Sequence, residues 1–181
     1  MKTCYFTFGR FNPPTIGHEK LIRAVESQAG SNDYLIYPSQ SHKKPNNPLP
    51  YDYKVKIMEK MFPWAKIETK ACCNTIIKVA QDMMMKDYSD IVMVVGSDRV
   101  ADFDKLLNKQ NTIDYTFNTI KVMSAGERDP DADGASGMSA SKMREAAKNQ
   151  KTTEFLQGIP DTLSVKEKLD LMAKVREGMG L

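Results

Sequence analysis

The sequence predicts an α/β domain built on a doubly wound, mostly parallel sheet of about five strands. Three observations predict it. Short apolar runs alternate along the chain with segments whose apolar residues recur every three or four positions, and the links between them are short. Ile91-Val92-Met93-Val94-Val95 is continuously apolar and mostly β-branched, the pattern of a strand covered on both faces. The chain also opens with a strand, a tight loop and a helix: an apolar run of Cys4, Tyr5, Phe6 and Phe8 stops at Gly9, Pro13 and Pro14 follow, and Gly17-His18 begins a segment carrying Leu21, Ile22, Val25 and Ala29.

After that first helix, Gly30-Ser31-Asn32 is a stop signal. Asp33 to Tyr37 reads as a second strand ended by Pro38. Ser39 to Pro50 is a polar, proline-containing loop with a basic cluster at His42, Lys43 and Lys44. Asp52 is placed to cap a helix through Val55, Ile57, Met58 and Met61 that Pro63 ends. Lys66 to Thr69 reads as a third strand, and Asn74 or Thr75 caps a helix with Ile76, Ile77, Val79, Ala80, Met83 and Met84 on a broad apolar face. The fourth strand, Ile91–Val95, ends at Gly96-Ser97-Asp98-Arg99, where Ser97 or Asp98 can cap the next helix. That helix, from about Val100 to Lys109, is expected to turn Phe103, Leu106 and Leu107 inward, and Thr119 to Met123 supplies a fifth strand. Ser139 caps a helix with Ser141 and Arg144 on its first turns, and Ser164 with Glu167 forms a capping box for a last one carrying Leu169, Leu171, Met172 and Val175.

Composition narrows the function. The length of 181 residues is one domain's worth, and 41% hydrophobic with 27% charged residues is ordinary for a globular protein. A net charge of +3 is too small for a protein that coats nucleic acid. Three cysteines, two of them adjacent (Cys72, Cys73), make neither a disulfide framework nor a zinc pattern, which suits a reducing cytoplasm. No apolar run approaches the length of a membrane span, and Met1-Lys2-Thr3 lacks the layout of a signal peptide. The acidic stretch Asp129, Asp131, Asp133, Gly134 opens like a calcium loop, but its twelfth position is Ala140 where a glutamate belongs. It reads as a mobile flap, and no protein-held metal site is expected.

The chemistry-bearing residues gather at strand ends. A helix entered through Gly17-His18 points amide N–H groups and the positive end of its dipole at whatever lies above the strand, which favours phosphate, and His18 stands on its first turn. Lys43 or Lys44 can reach the same anion from a loop on the same rim, and ligands of open α/β sheets collect outside the carboxyl ends of the strands, which includes Gly96 to Arg99. Ser141 and Arg144 fall on the first turns after a helix cap, beside another positive dipole end.

The run Thr15-Ile16-Gly17-His18, after Gly9, resembles the signature of the nucleotidyltransferase superfamily of cytidylyltransferases and adenylyltransferases: His or Thr, any residue, Gly, His. Gly9-Arg10-Phe11 is similar to the nicotinamide mononucleotide branch, and Gly96-Ser97-Asp98 looks like the segment after the fourth strand of the nicotinate and nicotinamide mononucleotide adenylyltransferases. Thr15 and the loop Ser41-His42-Lys43-Lys44-Pro45 look more like phosphopantetheine adenylyltransferases. Residues 138–144 resemble the second signature, Ile-Ser-Ser-Thr-x-x-Arg, with Met138 for Ile, Ser139 matching, Ala140 for the second Ser, Ser141 for Thr and Arg144 matching.

The resemblance spans about residues 3–148. It implies a Rossmann-like sheet in the order 3-2-1-4-5, hence a single domain over 1–181 with its core in 3–148 and a C-terminal helical extension over 150–181. It also implies a reaction in which a phosphate monoester attacks the α-phosphorus of ATP (or CTP) and pyrophosphate leaves, with Mg2+ accompanying the triphosphate. In that reading His18, Thr15, Lys43, Lys44 and Arg144 serve catalysis, and Gly9, Arg10, Phe11, Gly17, Gly96, Asp98, Arg99, Ser139 and Ser141 join His18 and Arg144 in binding nucleotide. The favoured acceptor is nicotinamide or nicotinate mononucleotide; phosphopantetheine or a cytidylyl acceptor stays open. So does a nucleotide-binding or regulatory protein without turnover, suggested by Thr15 and Ala140. The expected partners are these small molecules, with neither nucleic acid nor membrane, in a chain able to form a homo-oligomer.

Overall fold

The computed structural model describes residues 1–70, 72–126 and 138–181. The acidic stretch read as a flap, 129–134, lies outside them. The chain folds into two compact units.

The first unit comprises 1–9, 21–39 and the described residues from 66 to 126. It holds a four-stranded parallel sheet of β1 (Thr3–Gly9), β2 (Asp33–Pro38), β3 (Asp90–Val95) and β4 (Thr119–Ser124), in the order β2-β1-β3-β4. Register is continuous: Cys4 pairs with Asp33 on one side and Ile91 on the other, and Ile91 with Ile120. Four strands replace the five expected. Lys66–Thr69 does not extend the sheet; it makes one parallel bridge, Ile67 to Ile36, through Ile36 N–H to Lys66 O and Glu68 N–H to Ile36 O. The apolar content of that segment is a single isoleucine flanked by Lys66 and Glu68, so it has too little side chain to bury for a longer edge strand. The remaining order is the expected one with its outer strand removed.

Helix α3 (Ile76–Met85) buries Ile76, Val79, Ala80 and Met83 in a cluster with Cys4 and Phe6 of β1 and Ile91, Met93 and Val95 of β3. Thr75 is its cap, accepting from Lys78 N–H. Helix α4 (Val100–Lys109) adds Leu107, with Phe103 partly buried; Leu106 is 38% exposed, because the inward stripe is narrower than the apolar sequence suggests. Beside α3 lies a polar network: Asp82, buried, accepts from Tyr37 Oη at 2.8 Å and Lys86 Nζ at 2.6 Å, and Lys86 also pairs with Glu68 at 3.0 Å. The sulfurs of Cys72 and Cys73 are bonded to each other, and Cys4 is a buried free thiol.

The second unit comprises 10–20, 40–65 and the described residues from 138 onward. Its helices are the first turn of α1 (Ile16–Ala29, which continues into the first unit), α2 (Tyr51–Met61), α5 (Ala140–Lys148), α6 (Thr152–Gln157) and α7 (Val165–Gly178). Pro50, not Asp52, stands at the N-cap of α2 without a side-chain cap bond, and Asp52 lies in the first turn. Ser164 and Glu167 form the expected capping box of α7. Met143, Ala146, Phe155, Leu171 and Val175 are buried, and Arg176 closes the α5 end by donating to Ala147 O at 2.7 Å and Lys148 O at 2.9 Å.

Candidate functional site

The loop 10–15 and the start of α1 belong to the second unit. Thr15, 0% exposed, is the cap of α1: its Oγ1 accepts from Gly17 N–H at 3.1 Å and His18 N–H at 3.4 Å, and its carbonyl takes the first helical bond, from Glu19 N–H. Ile16 N–H donates to Gly158 O at 3.0 Å. The first amides of α1, expected to face an anion, are therefore engaged within the protein. Thr15 also fixes its neighbour. Its backbone N–H donates to His18 Nδ1 at 3.0 Å, and because an amide can only donate, Nδ1 is the acceptor and the neutral imidazole carries its proton on Nε2. Phe11, 1% exposed, packs its ring on the imidazole with centroids 4.8 Å apart, and does so from a left-handed backbone conformation, φ +47°.

The second motif meets the first here. A Cβ on Gly17 would stand 3.2 Å from Met138 O, so glycine at that position admits the backbone leading into α5. Ser139 caps α5 by accepting from Lys142 N–H at 3.2 Å, which leaves its own O–H as a donor. Arg144, half-buried, donates from Nη1 to Asn12 O at 2.9 Å and from Nη2 to Ser141 Oγ at 3.1 Å. Burial first, and the like charge of Arg10 second, push its guanidinium below its ordinary value. A guanidinium that feels both burial and a like charge is suited to pairing with an anion.

Lys43 and Lys44 are exposed on a turn closed by Lys43 and Asn47 exchanging backbone hydrogen bonds, and Lys44 Nζ lies 3.6 Å from where Gly180 would carry a Cβ. Gly9, Gly96, Asp98 and Arg99 belong to the sheet unit. Gly9 ends β1; Gly96 follows its neighbour β3 and leads into a short 3-10 turn over Ser97–Arg99, and the N-cap position of α4 is Arg99, not Ser97 or Asp98 as expected.

Two residues of the site were not anticipated. Asn12, 1% exposed, pairs its amide group with the backbone of Leu49, donating to the carbonyl at 3.3 Å and accepting from the N–H at 2.8 Å. Lys54 of α2, 0% exposed, donates from Nζ to Arg10 O at 2.7 Å, and burial pushes its pKa down to about 8. Its register was a usable signal: Lys54, Met58 and Met61 recur at the spacing of one helix face, and both methionines are buried.

The sequence profile described as Cytidylyltransferase-like matches residues 6–146, which spans both motifs. The chain belongs to the cytidylyltransferase-like family. A curated relative within reach of this family member is a probable nicotinate-nucleotide adenylyltransferase of Acholeplasma laidlawii, 27% identical over 118 residues. That match takes in 60% of this chain and 62% of the relative, so the chain covers less than two thirds of the relative's length. Among solved structures, the Plasmodium falciparum nicotinic acid mononucleotide adenylyltransferase complexed with NaAD superposes with a TM-score of 0.61 at 13% identity, covering 98% of each chain. The same enzyme complexed with APC gives 0.58 at 14% identity, covering 96% of this chain and 98% of that one. At such identities these structures establish a shared fold. Among the described residues no helix is long and apolar enough to cross a membrane.

Proposed function

We propose that this family member is a nucleotidyltransferase that moves a nucleoside monophosphate, AMP from ATP, onto a phosphate monoester with release of pyrophosphate, its acceptor being nicotinate or nicotinamide mononucleotide. The observation that carries the reading is the meeting of the two motifs in one unit: His18 with its proton on Nε2, and Arg144 tied to the same loop through Asn12 O.

A phosphate monoester is already ionised at neutral pH, so the reaction needs no general base. What opposes it is the approach of two anions and the charge that grows on the leaving pyrophosphate. In this reading His18 donates from Nε2 to the α-phosphate as charge accumulates, and Thr15 acts by holding the imidazole tautomer and capping α1. Arg10, Arg144, Ser139 and Ser141 hold the β- and γ-phosphates, with Lys43 or Lys44 adding an ammonium. Gly17 lets the two motifs approach and Phe11 supports His18; Gly9, Gly96, Asp98 and Arg99, which belong to the sheet unit, remain candidates for contact with nucleotide.

The donor set around loop 10–15 consists of imidazole, guanidinium, hydroxyl and amide groups. Among the described residues three side chains of metal-ligating type converge only at Cys72, Cys73 and Asp82 of the sheet unit, where the two sulfurs are bonded to each other and Asp82 already takes Lys86 and Tyr37. In this reading magnesium enters as a component of the substrate, the metal–triphosphate complex, bound through phosphate oxygens and water. The Acholeplasma laidlawii relative, a probable nicotinate-nucleotide adenylyltransferase, and the Plasmodium falciparum nicotinic acid mononucleotide adenylyltransferase, whose fold this chain shares, support nicotinate mononucleotide as first choice of acceptor. The test is pyrophosphate release from ATP and from CTP against nicotinate mononucleotide, nicotinamide mononucleotide and phosphopantetheine. Release with ATP and a pyridine mononucleotide is expected; nucleotide binding without release in any pairing would leave a binding protein instead.

A further inference from the structure

An anion site must present donors, yet the loop that builds one also carries carbonyl oxygens, and each of these repels phosphate. Three carbonyls of loop 10–15 are held by donors of the protein: Thr15 O by Glu19 N–H at 3.1 Å, Asn12 O by Arg144 at 2.9 Å, and Arg10 O by Lys54 at 2.7 Å. The last is the costly one. Burying an ammonium completely is among the least favourable things a fold does, and a surface water could have met a carbonyl without it.

What Lys54 grips is the peptide joining Arg10 to Phe11. Phe11 occupies the left-handed region at φ +47°, a conformation that costs a bulky L-residue about 1–2 kcal/mol. From that conformation its buried ring lies against the imidazole of His18 at 4.8 Å with the planes inclined by 57°. The ring contact and the amide bond from Thr15 to Nδ1 together leave the imidazole little freedom.

We infer that Lys54 is a positioning residue for His18: by holding the Arg10 carbonyl it keeps Phe11 in its left-handed conformation, and Phe11 in turn sets the imidazole's orientation. The inference rests on the reading of His18 as the donor to the transition state. Lys54 touches no reacting atom, and its effect belongs in kcat.

The test compares the parent with Lys54→Met, Phe11→Ala and the double variant in the full chain. In Lys54→Met, kcat should fall by about tenfold to a hundredfold, with KM for ATP within about threefold of the parent. The imidazole 15N and 13C signals of His18, separable from those of the chain's other histidine, His42, by their loss in His18→Ala, should shift in the same variant. Because Lys54 acts through Phe11, Lys54→Met should cost much less in the Phe11→Ala background than alone. Unchanged His18 signals with unchanged kcat in Lys54→Met overturn the inference, as do fully multiplicative losses in the double variant. If Lys54→Met does not fold, Phe11→Ala carries the test: kcat lowered at constant KM supports the link, and unchanged kcat overturns it. The imidazole signals are read without substrate. A parent that turns over no acceptor would therefore sink the transferase reading while leaving the link from Lys54 to His18 open to measurement.

Discussion

Replacing Lys54 by methionine also isolates the cost of burying an ammonium, and the sign of that cost can be worked out. Burial holds the lysine's pKa at about 8, against 10.5 for an unperturbed lysine. One pKa unit corresponds to ~1.4 kcal/mol, so the charged form opposes folding by about 3 kcal/mol at neutral pH. Below pH 8 the folded and unfolded chains both hold the proton, and the full cost is present. Between 8 and 10.5 the unfolded chain binds a proton that the folded chain has released, so native stability rises with pH across that window. Urea unfolding of the parent and Lys54→Met, at half-unit steps from pH 7.5 to 10.5, reads the effect as a difference curve. Taking the difference removes the groups that act the other way. Cys4, Tyr34, Tyr37 and Tyr88 are all held above their ordinary values by burial first, and so lose stability as pH rises. The parent should gain about 3 kcal/mol on Lys54→Met by pH 10.5. A difference that stays flat within the error of the extrapolation would refute the assignment of a buried, charged Lys54.

His18→Ala should lower turnover by about two to three orders of magnitude, the loss typical of one transition-state donor, with ATP affinity little changed; equal rates in variant and parent would remove His18 from the mechanism. Arg144→Ala should weaken ATP binding, measured by calorimetry, since it removes a guanidinium and releases Asn12 O; unchanged affinity would count against a phosphate role. Asp82→Asn should destabilise the sheet unit by about 3 kcal/mol, since it breaks a buried ion pair. Burial alone would raise the Asp82 carboxyl, but hydrogen bonds from Lys86 and Tyr37 outweigh it and hold the carboxyl below its ordinary 3.8. Its contribution is thus present above pH 3.8 and lost as pH falls toward the depressed value, and acid unfolding of the parent and Asp82→Asn should converge there.

What was legible in the sequence depended on whether one residue type had one physical use. Ser139 and Ser164 are read correctly as caps because a hydroxyl ahead of a helix has few other employments, and of the two candidates Asn74 and Thr75 the structure selects Thr75. Gly17 and Arg144 stand out by pattern, and the structure supplies what pattern cannot, namely that Gly17 yields to Met138 O and Arg144 to Asn12 O. Lys66–Thr69 has the alternation of a strand, but pairing depends on how much of an edge its neighbour offers, and one bridge is all it makes. Asn12 and Lys54 escape for the opposite reason. Polar residues near prolines and lysines in amphipathic helices are nearly always solvated; the partner Leu49, distant in sequence, is what reveals Asn12, whereas Lys54 had only its register with Met58 and Met61 to mark it, set against that expectation.

The threonine that opens the first motif shows how the site differs from a simple helix-end anion trap. A helix N-terminus attracts phosphate through amides that lack partners. Here Thr15 Oγ1 takes two of those amides and Gly158 O takes a third. The helix still contributes its dipole, but its hydrogen-bonding capacity has been moved to side chains. On the proposed function the phosphates must then be met by the imidazole, the hydroxyls of Ser139 and Ser141, and the guanidiniums of Arg10 and Arg144, all of them groups whose aim depends on what holds them. That dependence accounts for the investment beneath the loop. A wholly buried lysine and a phenylalanine in a left-handed conformation are each unfavourable taken singly, and on the inference drawn above each bears on the orientation of His18.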